Sequence, residues 1–162
     1  MRRRLILMRH AKSSWKSNAP TDHARPLNKR GRRAAPKVGA RLRELGWVPD
    51  LIVSSDSART RETFVRMREA LGHVGDAVFL ESLYHAGIGP VHAALEQLDD
   101  AVSTVLLLGH NPGWEQTLHW LSGRDETMQT GASALLMRDT ETWSDAAGAG
   151  WTLEALLRPR EL

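Results

Sequence analysis

Two rhythms of apolar residues alternate along this chain. Short solid apolar runs, the mark of strands buried on both faces, occur in Leu5-Ile-Leu-Met8, Asp50-Leu-Ile-Val-Ser-Ser55, Ala77-Val-Phe-Leu80 and Thr104-Val-Leu-Leu-Leu108. Between them the apolar positions take up helical spacing. Ala34, Val38, Leu42 and Leu45 form one stripe, with Asn28 as a candidate cap and Gly46 as a stop. The outer face of that helix carries Arg30, Arg33, Lys37 and Arg41. Pro36 lies inside it and is expected to kink the helix or shift its start. A second helix is predicted from a cap at Asp56 or Ser57 to about Leu71, with Phe64, Met67 and Leu71 inward. A third covers 90–98, with Val91, Leu95 and Leu98 inward. Pro112 can open a fourth, whose stripe is Trp114, Leu118 and Leu121. Residues 11–27 are polar, contain Pro20 and Pro26, and read as a loop. Ser133 to Met137 and Trp151 to Leu157 read as a closing hairpin with a long loop around the Gly-rich 148–150. Strand–helix alternation ending in a hairpin predicts an α/β fold, a three-layer α/β/α sandwich on a mostly parallel sheet. The 162 residues fit a single domain, 1–162.

Composition narrows the classes. The chain has no cysteine, which excludes a disulfide framework, a zinc-thiolate site, an iron–sulfur cluster and a cysteine nucleophile. No apolar run approaches the roughly 18 residues of a membrane span. The basic opening Met1-Arg-Arg-Arg4 precedes an apolar run of only Leu5 to Met8, too short for a secretion signal. The expected location is therefore the cytoplasm. Net charge is only +3, but it is split. Residues 1–68 hold 18 basic and 5 acidic side chains; residues 69–162 hold 4 and 14. Of the bases, 18 are arginine, whose rigid fork of donors suits phosphate and carboxylate. Trp15 and Trp47 are the only aromatics before Phe64, so base-stacking residues are not interleaved with the charge. This argues against a nucleic-acid partner.

The candidate chemistry gathers at strand ends. Arg9 and His10 follow the first strand, Arg59 lies in the first turn after the second, and Gly109-His110-Asn111 follows the most apolar strand. In a parallel sheet these carboxyl ends share one rim. Two arginines can hold a phosphoryl group by charge-assisted hydrogen bonds. A neutral histidine between them can attack phosphorus, and a second histidine can stabilise the equatorial oxygens. Lys12, Ser13 and Ser14 can also donate to phosphate, and Asn111 can offer a backbone amide at a helix start. His85 can line the rim, His23 can meet substrate or solvent, and His73, His92 and His119 read as structural. Trp15 reads as a loop anchor. The seven histidines show no metal-ligand spacing, so no metal is expected, and no nucleotide-binding loop is present. No cofactor is implied.

Leu7-Met-Arg-His-Ala11, Arg25-Pro-Leu27, Ser54-Ser-Asp-Ser-Ala-Arg59 and Gly109-His110 resemble the signature of the histidine phosphatase (phosphoglycerate mutase-like) superfamily. The short chain, with Arg9-His-Ala-Lys-Ser-Ser-Trp15 and Leu106-x-x-Gly-His-Asn-Pro112, most resembles the compact SixA-type phosphohistidine phosphatases. The resemblance runs from Arg4 to about Leu121. It implies that His10 is a transiently phosphorylated nucleophile, and that Arg9, Arg59 and His110 complete the phosphate pocket. It also implies that Arg25 is an accessory phosphate contact. Ala11 stands where the superfamily usually has glycine. Many members carry a glutamate acid after the third strand, and Glu81 is the nearest match to it here, although SixA-type chains often lack such an acid. An imidazole leaving group takes a proton readily, so a phosphoramidate makes less demand on an acid than an alcohol ester does. The expected activity is a metal-independent phosphatase acting on phosphohistidine in a partner protein. The alternatives are a phosphatase or mutase for a small phosphorylated metabolite, and a catalytically silent phospho-ligand binding module.

Overall fold

The computed structural model describes every residue except 74. Strands β1 (Arg2–Arg9), β2 (Leu51–Ser55), β3 (Val78–Leu80), β4 (Thr104–Gly109), β5 (Ser133–Asp139) and β6 (Thr152–Leu157) form one sheet in the order β3-β2-β4-β1-β5-β6. The first four are mutually parallel; β5 runs antiparallel to both β1 and β6. The helices are α1 (Lys29–Glu44), α2 (Ala58–Leu71), α3 (Ile88–Glu96) and α4 (Gly113–Ser122).

Alternation along the strands decides which helix covers which face, because successive side chains point to opposite sides. Ile6, Met8, Ile52, Leu106 and Leu108 face α1 and α2, and meet Ala35, Val38, Leu42, Phe64, Met67 and Leu71. Leu5, Leu7, Val53, Val105 and Leu107 face the other way, toward Val91, Leu95, Trp114, Leu118 and Leu121 of α3 and α4. Strand β4 is buried along its whole length, as its uniform apolarity requires. The three layers and the mostly parallel sheet are those expected.

Several boundaries shift for physical reasons. Strand β1 begins at Arg2 rather than Leu5, because β5 pairs with it along Arg2 to Met8. Arg3 is consequently buried. Its guanidinium donates to the carbonyls of Asp100 and Val102, both at 2.6 Å, and of Glu141 at 2.7 Å. Helix α1 starts directly after Asn28, whose side chain accepts from the Gly31 amide at 2.9 Å, and it runs through Pro36 with no shift of its start. The cap of α2 is Ser57. Helix α3 starts at Ile88, two residues before the predicted stretch.

Candidate active site

Register brings the two histidines together. Strands β1 and β4 are neighbours and align Arg9 with Gly109, so the next residues, His10 and His110, leave the sheet side by side. The His10 amide donates to the Gly109 carbonyl at 3.0 Å, and the two imidazole centroids lie 5.3 Å apart. On the other flank of β4, strand β2 delivers Ser55, whose hydroxyl lies 2.8 Å from His110 Nε2. The Ser57 cap starts α2 so that Arg59 falls in its first turn, 3% exposed, over the same edge. Arg9, His10, Arg59 and His110 line one cavity of about 390 Å³, with Lys12, Ser13, Arg25 and Asn111 around it.

Burial sets the protonation of both rings. His10 is 5% exposed, and desolvation, helped by the charges of Arg59, Arg9 and Arg25, pulls its pKa down to about 3. Its Nδ1 lies 2.6 Å from the Ala11 carbonyl, an acceptor that places the single ring proton there. Nε2 is left with a free lone pair. His110 is 2% exposed, and burial, with the neighbouring His10 and Arg59, pulls it down to about 2. Ser55 Oγ accepts from the Ser57 amide at 3.3 Å and can give its own proton to His110 Nε2. That bonding suits a ring proton on His110 Nδ1, an atom with no protein partner. Arg9 Nε and Arg59 Nε are also buried without a protein partner. The cavity thus presents an unprotonated nitrogen, a neutral N–H donor and two guanidinium groups, which can attack and hold a phosphoryl group.

Asp22 is the residue that motif reading passed over. Its carboxylate accepts from Arg59 Nη2 at 3.1 Å, Arg25 Nε at 3.0 Å and the Tyr84 hydroxyl, and it lies 3.3 Å from His85 Nε2. Partial burial favours its neutral form, but bonds from Tyr84 and Arg25 and the charge of Arg59 outweigh that. The carboxyl is held well below its usual range and stays ionised. The only sequence signal was its spacing, three residues before Arg25. Arg25 reaches the rim of the cavity, donating to Ser13 Oγ and the Ser14 carbonyl, both at 3.1 Å. Trp15 does not anchor the loop by burial: it is 80% exposed and lies under the Arg25 guanidinium, 3.5 Å from its ring centroid.

Glu81 is not brought to this cavity. It begins the 3-10 turn Glu81–Leu83 after β3 and is exposed. Tyr84 and His85 arrive instead, with their rings each 5.4 Å from that of His110. They are seated by Gly113, where a Cβ would come within 1.8 Å of the Ala86 carbonyl oxygen. His85 takes φ 55°, the left-handed region that side chains other than glycine seldom adopt. His23 pairs with Asp56 at 2.8 Å, outside the cavity lining. Among the described residues, no three His, Asp or Glu side chains group as a metal site.

Residues 5–104 match the family model of the histidine phosphatase superfamily, branch 1. The chain belongs to that family. An uncharacterised chloroplastic protein of Arabidopsis thaliana is 39% identical over 171 residues, spanning 97% of this chain and 78% of its own. Another relative, an uncharacterised protein of Mycobacterium tuberculosis, is 37% identical over 65% of this chain and 63% of its own. Among solved structures, a protein provisionally named phosphohistidine phosphatase SixA from Agrobacterium tumefaciens superimposes with a TM-score of 0.80 at 30% identity, covering 97% of this chain and 98% of that one. A phosphoglycerate mutase from Bacillus anthracis, at 14% identity and a TM-score of 0.68 over 95% of this chain and 92% of that one, shares the fold. This histidine phosphatase is therefore an enzyme, a SixA-like phosphatase on a phosphoglycerate mutase-like fold.

Proposed function

We propose that this histidine phosphatase removes phosphoryl groups from phosphohistidine on a partner protein, through a phosphohistidine intermediate on His10. The observation that carries the reading is the pair of neutral, buried imidazoles 5.3 Å apart, one with a free Nε2, flanked by Arg9 and Arg59. Arg9, Arg59 and His110 hold the phosphoryl oxygens, and Arg25 contacts them from the rim. His10 Nε2 attacks phosphorus as the P–N bond to the substrate imidazole breaks, and the leaving nitrogen takes a proton. Water then attacks the phosphoenzyme, releasing inorganic phosphate and restoring neutral His10. The ionised Asp22 cannot supply the leaving-group proton, but it braces Arg59 and Arg25. A leaving imidazole, basic enough to be protonated from solvent, fits a site whose rim carboxylate, Asp22, stays ionised and is no acid. The likeness to the SixA protein supports the same substrate class. The reading needs no metal or cofactor and places the enzyme in the cytoplasm. Among the described residues, no helix is long and apolar enough to cross a membrane.

The test compares kcat/KM for N-phosphoimidazole and for a sugar phosphate, with acid-labile phosphoenzyme trapped in wild type and in His10→Ala. The expected result is preference for the phosphoramidate, unchanged by chelator, with neither turnover nor phosphoenzyme in the variant. Preference for the sugar phosphate would favour a metabolite phosphatase. Phosphoenzyme trapped normally in His10→Ala would show that another residue attacks.

A further inference from the structure

Arg9 has a cavity on each side. One is the cavity of the two histidines. The other, of about 430 Å³, is lined by Arg9, Lys12, Arg30, Gln129, Thr130 and Arg160 among others, and shares Arg9, Lys12 and Thr130 with the first. Its four cations come from four parts of the chain: the end of β1, the loop after it, the first turn of α1, and the 3-10 turn Pro159–Glu161. Among the described residues, no carboxylate lines it. Among the described residues, none of the four lies within ion-pair distance of an acidic group, whereas Arg25 and Arg59 both bind Asp22.

Backbone contacts fix the segments that carry these cations. The Asn28 amide donates to the Lys12 carbonyl at 3.0 Å, which sets the start of α1, and Arg30 with it, beside Lys12. The C-terminal turn packs through Pro159 on Gly131, a residue at φ +79° where a Cβ would lie 2.7 Å from the proline ring. Gly131 in turn donates its amide to the His10 carbonyl at 2.7 Å. The turn that carries Arg160 is therefore built onto the same backbone as His10.

We propose that this second cavity binds the carboxylate of an acidic side chain flanking the phosphohistidine of the substrate protein. The inference rests on the phosphohistidine reading above and deepens it, by naming a sequence feature of the substrate. A phosphoryl group held by Arg9, His10, Arg59 and His110 engages the first cavity, whereas Arg30 and Arg160 line only the second. Four like charges around an adjoining cavity repel one another unless an anion joins them, and Arg9 sits between the two anions it would serve. The surroundings favour a protein over a small bisphosphate. Lys12, Arg30 and Arg160 are exposed, and α1 carries their charge outward through the exposed Arg33 and Lys37. That broad basic rim matches an acidic protein surface.

The test uses synthetic peptides carrying phosphohistidine with glutamate or alanine at the flanking positions, together with N-phosphoimidazole and a sugar bisphosphate. The enzymes are wild type and Arg30→Ala/Arg160→Ala, both changes lying outside the histidine cavity. Wild type is expected to favour the acidic peptide by roughly five- to tenfold in kcat/KM, as two or three exposed ion pairs give. The preference should shrink as salt is raised. The double variant should lose the preference while keeping its rate on N-phosphoimidazole. A preference that survives in the double variant, or no preference in wild type, overturns the proposal. So does a double variant that is impaired on the sugar bisphosphate but not on the acidic peptide. Failure of the phosphohistidine reading itself would appear separately, as absent turnover of N-phosphoimidazole by wild type.

Discussion

Acidifying the solution should destabilise this protein through two particular rings. In the folded chain His10 and His110 titrate at about 3 and about 2, against 6.5 for a free histidine, because both are almost wholly buried. From about pH 7.5 to about pH 5.5 they stay neutral in the folded state, while in the unfolded state they take up protons. The unfolded chain then binds more protons, so stability falls as the pH falls. The penalty is absent well above 6.5 and grows until the folded values are reached. Over this window each ring costs about 1.4 kcal/mol, and the pair about 2–3 kcal/mol. That is a large share of the roughly 5–15 kcal/mol that holds a typical domain together. The assay is urea unfolding followed by tryptophan fluorescence at the two pH values, for wild type and for His10→Asn/His110→Asn. The other five histidines are common to both proteins. The double variant should therefore lose about 2–3 kcal/mol less than wild type on acidification. Equal losses would show that the rings protonate freely in the folded state, and would refute the burial argument together with the neutral nucleophile built on it.

Three further outcomes follow from particular contacts. Glu81→Gln should change kcat/KM on N-phosphoimidazole by less than about twofold, far below the 10²–10⁴ of acid–base catalysis; a loss of tenfold or more would bring Glu81 into the reaction. Gly113→Ala forces a Cβ against the Ala86 carbonyl and should cost roughly 1–3 kcal/mol in urea unfolding. It should also lower turnover, because Tyr84 and His85 must move; an unchanged rate would show that their placement is immaterial. Asn28→Ala removes the side-chain cap of α1 and should cost about 1 kcal/mol, read as a shift in the urea midpoint.

Apolar rhythm and strand-end position were enough to read the layers and the sheet edge from which both histidines leave; their side-by-side pairing needed the β1–β4 register. Solid apolar runs such as Leu106-Leu107-Leu108 are too short for a buried helix and read as strands covered on both faces, and helical stripes such as Val38 and Leu42 supply the covers, although Leu45 at the end of that stripe stays exposed. Chemistry placed directly after such strands must leave the sheet at one edge. That is why Arg9, His10, Arg59 and His110 were legible together. Local rules served equally well at Asn28 and Ser57, because a cap acts within three residues of itself.

The remaining contacts depend on the folded core, and the reason is distance along the chain. Asp22 meets Arg59 across 37 residues and Tyr84 across 62, by loop paths that no periodicity encodes. Arg3 reads as an exposed base at a chain end, yet β5 pairs beside it and distant carbonyls enclose its guanidinium. Glu81 stands close in sequence to Tyr84 and His85, but the turn between them sends those rings to His110 and leaves Glu81 outside the cavity. The second cavity needs the C-terminal turn folded back onto the loop before β5, so Arg160 can join Arg9 only once the sheet has closed. Residue type and local spacing specify the elements and what each strand end can do chemically. Which side chains converge between elements is set by strand order and loop path, which follow from the packing of the whole core.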